Sequence, residues 1–167
     1  RTVFNFLGPL TNPAGARRLS VGTSDSRMAG LMVDVLRNRG AERAFVFYGE
    51  DGLDELTTTG PSFIYRLRNG EVTTAEFTPE DFGVRRASIE DLKGGSVDEN
   101  AAILRAILDG RPGPKRDIAI VNAAPAIVVS GLADGFVEAV ELAAEAIDSG
   151  DAQAVLDRAI AFTSARG

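Results

Sequence analysis

The stretch at residues 43–48 (Arg-Ala-Phe-Val-Phe-Tyr) sets the tightest limit on how this chain can fold. A run that is apolar or aromatic at every position after the first has no face suited to water. It reads as a strand buried on both sides, as in a sheet with helices packed on each face. Upstream, residues 19–22 read as a short strand. Met28, Leu31, Met32, Val35 and Leu36 then recur at helical spacing, between a cap at Ser24 or Asp25 and a stop at Gly40. Residues 19–48 therefore form a strand–helix–strand unit. The expected class is α/β, with a mainly parallel sheet flanked by helices.

The rest of the chain extends that unit. Residues 62–67 and 71–77 read as two strands around Arg68-Asn69-Gly70, and Asn-Gly is a strong hairpin signal. From Pro79 onward the pattern is helical. Ser88 caps a short turn, and Ser96 with Glu99 forms a capping box for a helix ending near Gly110. Residues 117–129 read as a buried helix in which Pro125 predicts a kink. Residues 134–148 and 151–165 are amphipathic. Near the start, Gly8-Pro9-Leu10-Thr11-Asn12-Pro13 predicts a rigid, non-helical path. With no repeat, linker or low-complexity tract, residues 1–167 are expected to form one α/β domain.

Two absences narrow the chemistry. The chain has no Cys and no His. Thiolate nucleophiles, Ser-His-Asp triads and Cys or His metal sites are excluded. Carboxylates, Lys, Arg, hydroxyls and backbone groups remain. The lack of Cys fits a reducing, cytoplasmic setting. Net charge is −6, which argues against nucleic acid as a partner. No apolar run approaches the roughly 20 residues of a membrane helix. Residue 1 is Arg and the apolar run starts at once, so the chain reads as a piece of a longer protein.

Several constellations could carry function. Asp51-Gly52-Leu53-Asp54-Glu55 follows the most strongly buried strand, at the edge where α/β sheets bind ligands. It reads either as a site for a hard divalent cation such as Mg²⁺ or as an acidic surface loop. Gly8-Pro9 lets a ligand approach the backbone closely or acts only as a rigid connector. Gly94-Gly95-Ser96 could cradle a phosphate or form a plain turn. Asn122, in the buried helix, reads as bonded to nearby backbone. Arg17-Arg18 and Arg85-Arg86 read as phosphate contacts or solvated surface.

Taken together, these segments resemble a known family. The stretch Thr2-Val3-Phe4-Asn5-Phe6-Leu7-Gly8-Pro9-Leu10-Thr11-Asn12-Pro13 is similar to the signature of anthranilate phosphoribosyltransferases. Residues 49–55 followed by Leu56-Thr57-Thr58 resemble their metal-binding loop. Asp81-Phe82-Gly83, Glu99-Asn100-Ala101 and Val121-Asn122-Ala123-Ala124 follow in matching order. The resemblance covers nearly the whole chain.

It implies transfer of phosphoribose from phosphoribosyl pyrophosphate to anthranilate, a step of tryptophan biosynthesis. Asp54 and Glu55 would hold Mg²⁺, and Gly8 and Pro9 would line the anthranilate site. The family's helical amino-terminal domain, through which its members pair as homodimers, has no counterpart here. Nor has its Gly-Thr-Gly-Gly-Asp phosphate loop, so this chain alone is expected to be inactive. The other readings are a nucleoside phosphorylase-like domain and a non-catalytic relative that binds nucleic acid or protein.

Overall fold

The structure, a computed structural model, describes residues 4–165. The expectations placed on Arg1, Thr2 and Val3 lie outside that range. Four strands form one sheet in the order β1-β2-β3-β4: β1 (Arg18–Gly22), β2 (Arg43–Gly49), β3 (Ser62–Arg68) and β4 (Glu71–Phe77). The α/β class, the hairpin and the helical second half agree with the sequence reading. The sheet itself is mixed rather than mainly parallel. Only β1 and β2 pair in parallel, while β2–β3 and β3–β4 are antiparallel. Residues 50–61 link β2 to β3 without a helix. A parallel return needs a longer crossover, usually helical.

β2 behaves as its composition demands. Ala44, Phe45, Val46 and Phe47 are all at most 4% exposed, so both faces are covered. Ala44 and Val46 face Ala29, Met32, Val33 and Leu36 of α2 (Ser26–Asn38), together with Leu10. Phe45 and Phe47 face α5 (Pro114–Ser130) and α6 (Phe136–Asp148). The β3–β4 turn places Asn69 and Gly70 at φ 53° and 81°, the left-handed pair that an Asn-Gly hairpin turn requires.

The first helix overturns one expectation. Instead of a non-helical path through Gly8-Pro9, α1 runs over Phe4–Leu10 with Pro9 inside it. Pro9 withholds one amide, but the helix is short and ends one residue later. Burial of Leu10 against α2 outweighs that loss. The break comes afterwards, where Thr11 donates its hydroxyl to the Leu7 carbonyl and Asn12 accepts the Ala14 amide.

α5 begins at Pro114, three residues earlier than the spacing predicts, because proline suits the first helical turn. It continues unbroken through Pro125, whose ring is fully buried.

The remaining helical segments are a 3-10 turn (Pro79–Phe82), α3 (Ile89–Leu92), α4 (Val97–Leu108) and α7 (Asp151–Ser164). The start signals of the first three depend on protonation. The Asp81, Asp91 and Glu99 carboxylates accept the Thr78, Ser88 and Ser96 amides at 2.7–2.9 Å. The same carboxylates also accept the Thr78, Ser88 and Ser96 hydroxyls. These bonds hold all three acids below the ordinary carboxylate value. A depressed folded-state value adds stability that is complete above the unfolded value near about 4 and is lost as pH falls through the folded one. The unfolding midpoint should therefore drop on acidification below about pH 4. The triple variant Asp81→Asn, Asp91→Asn, Glu99→Gln should show a shallower drop in the same thermal scans. Equal slopes would remove the caps as the source.

Candidate functional site

The parallel strands β1 and β2 end side by side, with Gly22 paired to Phe47 and Gly49 two residues further on. Residues 50–61 leave that edge as a loop and return at β3. Ligands of α/β sheets collect at such carboxyl ends.

Four fixed points shape the loop. Asp51 turns inward, accepting the Leu53 amide at 3.1 Å and the Thr57 and Thr59 hydroxyls at 2.5 and 2.7 Å. Ser62 accepts the Thr57 amide at 2.8 Å. Leu56 is fully buried in the core beneath the loop. Its backbone is held from α5: Asn122 Oδ1 accepts the Leu56 amide at 2.7 Å, and Asn122 Nδ2 donates to the Leu56 carbonyl at 2.9 Å. Finally, the Asp54 carbonyl lies against Gly22 so closely that a Cβ at Gly22 would stand 1.7 Å from it. Next to these points the chain displays Asp54 and Glu55, both exposed.

The Glu55 carboxyl differs from one on a plain surface loop. Partial burial of the Glu55 carboxyl, and then the neighbouring Asp54 charge, raise its proton affinity above the ordinary carboxylate value. Neither carboxylate has a hydrogen-bond or ion-pair partner among the described residues. Among the described residues no cationic side chain forms an ion pair with either of them, a condition a bound cation would relieve. The chemistry fits Mg²⁺, which prefers hard oxygens and takes one or two carboxylates, with water and phosphate oxygens completing its shell. The described residues contain no cluster of three or more acidic side chains able to hold a metal by themselves. Any ion here would complete its shell with oxygens from water or a ligand.

The other candidates sort plainly. Gly8 and Pro9 are exposed on α1, which packs on α2 and shares no hydrogen bond with the loop among the described residues. A Cβ at Gly8 would meet nothing within 4 Å apart from its chain neighbours, so only the following Pro9, which disfavours helical backbone before it, favours a glycine there. Gly94-Gly95-Ser96 is a cap: Asn100 accepts the Gly95 amide at 2.9 Å and Glu99 accepts the Ser96 amide at 2.7 Å, which occupies the donors a phosphate would need. Arg17 and Arg18 pair with Glu42, and Arg18 also donates to the Ser130 carbonyl. Arg86 reaches Glu80 and the Thr59 carbonyl, each at 3.5 Å.

Asn122 does bond to backbone, including the Ile118 carbonyl one turn back. Its tie to Leu56 escaped sequence reasoning, as did the parts played by Gly22 and Thr59. The one available signal was a lone amide in an apolar helix. A concavity of about 390 Å³ between α4 and the start of α5 is lined by Ile103, Ile107, Pro112 and Lys115, and it involves none of the candidate residues.

Comparison with known proteins adds three findings. A family described as "Glycosyl transferase family, a/b domain" matches residues 1–153. An anthranilate phosphoribosyltransferase of Rhodopseudomonas palustris (strain BisA53) is 48% identical over 164 residues, covering 98% of this chain and 48% of the relative. Among solved structures, the anthranilate phosphoribosyltransferase of Thermus thermophilus superposes with a TM-score of 0.87 at 40% identity, over 97% of this chain and 48% of that one. The Saccharomyces cerevisiae enzyme, solved in complex with PRPP and Mg, gives 0.84 at 26% identity, over 94% and 46%. The chain thus spans about half the length of the relatives it matches.

Proposed function

Because the chain belongs to the glycosyl transferase family, a/b domain, we propose that it serves as the α/β part of an anthranilate phosphoribosyltransferase. The reaction is transfer of phosphoribose from phosphoribosyl pyrophosphate to the amine of anthranilate. The observation that carries this reading is the Asp54-Glu55 pair. It stands on a loop pinned from both sides, at the carboxyl edge of the two parallel strands. The yeast relative solved with PRPP and Mg supports it.

The chemistry suits a chain without His or Cys. The bond from the ribose anomeric carbon to pyrophosphate breaks, and its electron pair leaves with pyrophosphate. The anthranilate nitrogen forms the new bond and releases a proton. Asp54 and Glu55 would hold Mg²⁺, which neutralises charge on the leaving group. The protein's own contribution is a rigid loop that keeps the two carboxylates in place without reorganisation during the reaction. Gly8 and Pro9 would line the anthranilate site from α1.

Under this reading residues 1–167 form the larger domain. The helical domain, the Gly-rich phosphate loop and the homodimer contacts come from sequence outside it. Under the same reading the setting is cytoplasmic. Among the described residues no helix is long and apolar enough to cross a membrane.

Loss of anthranilate fluorescence, followed in the complete polypeptide with phosphoribosyl pyrophosphate and Mg²⁺, tests the proposal. Consumption with matching pyrophosphate release is the expected result. A folded protein that instead cleaves nucleosides with phosphate would favour the phosphorylase reading. A folded protein that does neither would favour a non-catalytic relative.

The Gly8 assignment has its own signature. Gly8→Ala should raise the KM for anthranilate without stabilising α1, since a Cβ on the residue before Pro9 disfavours helical backbone. An unchanged KM would remove Gly8 from the substrate site.

A further inference from the structure

We infer that Asn122 is a positioning residue for the Asp54-Glu55 carboxylates, acting through the Leu56 peptide. The inference rests on the metal reading of that pair.

Asn122 comes from the middle of α5, 66 residues away in sequence, and its side-chain amide pairs with Leu56 as a neighbouring strand would. Its oxygen accepts the Leu56 amide. Its nitrogen donates to the Leu56 carbonyl and, with its second proton, to the Ile118 carbonyl. The nitrogen's donating capacity is thereby used in full. Residues on either side of Asn122 tie α5 to the core: Val121 and Ala124 are fully buried against the sheet. The amide is therefore mounted on a rigid element, which is what a supporting residue needs to transmit position.

The fixed points bracket the carboxylates closely. Gly22 stops the Asp54 carbonyl on one side, and Asn122 holds Leu56 on the other, with Glu55 between them. The Leu56 side chain is fully buried, so the peptide that follows Glu55 is anchored at both its backbone and its side chain. Asp51, with Thr57 and Thr59, closes the loop beyond. Releasing Asn122 would free the peptide beside Glu55 while leaving the Leu56 side chain in the core. The carboxylate pair would then fluctuate in place, and ion binding would have to order it. Partners of this kind, one step behind metal ligands, typically change metal affinity by about 10–100-fold when removed.

The test compares Asn122→Ala, Asn122→Ser and Val121→Ala in the complete polypeptide. Val121→Ala is a destabilisation control on the same helix that removes neither Asn122–Leu56 hydrogen bond. Two readouts are independent of turnover: Mn²⁺ binding in the presence of inorganic pyrophosphate, followed by the paramagnetic signal of the free ion, and hydrogen exchange of the Leu56 amide in the metal-free protein. Asn122→Ala should weaken Mn²⁺ binding about 10-fold and speed Leu56 exchange, and Asn122→Ser should do so less. Val121→Ala should lower the unfolding midpoint comparably with little effect on Mn²⁺. In steady-state assays the Mg²⁺ requirement of Asn122→Ala should rise while the KM for anthranilate stays put. Equal Mn²⁺ weakening in Val121→Ala, or none in the Asn122 variants, overturns the inference and reduces Asn122 to a stability role. Should Asp54→Asn, Glu55→Gln bind Mn²⁺ as the wild type does, the metal reading itself fails, and this inference with it.

Discussion

Replacing Asp54 by Asn and Glu55 by Gln together should lower turnover of the complete polypeptide at least about a hundredfold, while leaving the unfolding midpoint unchanged or slightly higher. The two halves of that expectation have one cause. Both substitutions preserve shape and remove charge. Among the described residues neither carboxylate makes a hydrogen bond or ion pair, so no folded-state contact is lost. Burial and the Asp54 charge raise the proton affinity of Glu55, so its ionised form is disfavoured in the fold. A raised carboxyl value means that the charge opposes folding near neutral pH, and a neutral amide relieves that opposition. Activity moves the other way. On the proposed function, the pair would hold an ion that neutralises charge on the leaving pyrophosphate, and the double variant would lose that ion. Steady-state rates at saturating Mg²⁺, set beside thermal unfolding, separate the outcomes. Activity within about threefold of wild type would assign the pair to the solvated surface. Loss of activity together with a fallen midpoint would show that the loop depends on the carboxylates structurally.

Much of this architecture was written in local sequence, and the reasons are physical. β2 was legible because residues 44–47 are apolar on both faces, and only a doubly covered strand tolerates that pattern. The hairpin was legible because Asn69-Gly70 accepts left-handed backbone at low cost. The carboxylate pair was legible because it follows β2 directly.

What escaped depends on contacts between distant segments. The antiparallel return of β3 was missed although the linker of residues 50–61 has too little regular structure for a crossover. α1 was missed because proline and glycine rules weigh local preference, whereas burial of Leu10 on α2 decides the outcome. The Asn122–Leu56 tie and the Gly22–Asp54 approach involve partners 66 and 32 residues apart. Nothing near either residue in sequence marks them. A glycine that ends a strand looks the same whether it faces solvent or another backbone.

Gly22 gives the second large effect. Gly22→Ala should destabilise the fold by about 3 kcal/mol, at the upper end of overpacking costs, and weaken whatever the loop binds. The added Cβ would stand 1.7 Å from the Asp54 carbonyl oxygen and 2.7 Å from its carbon. Those atoms belong to backbone, so no rotamer change relieves the clash and a segment has to move. β1 is the stiffer partner, because it is paired along its length with β2 and the Thr23 amide donates to the Phe47 carbonyl just beyond. The loop is therefore the part that yields. Asp54 would shift outward while Asn122 still holds Leu56, and the strain would fall on the peptide that carries Glu55. For a domain of this size the unfolding midpoint should fall by about 6–12 °C. Gly30→Ala is the matched control, because it lies within α2 and the same added methyl group would stand 3.7 Å from Tyr65, an ordinary contact, so the midpoint should hold or rise. Thermal scans of the two variants, with Mn²⁺ binding measured on each, decide the point. If Gly22→Ala keeps the wild-type midpoint, the two backbones do not approach as closely as the fold shows. If it loses stability but keeps full ion affinity, the carboxylates are positioned by Asn122 alone, and Gly22 serves only to let the loop pack against β1.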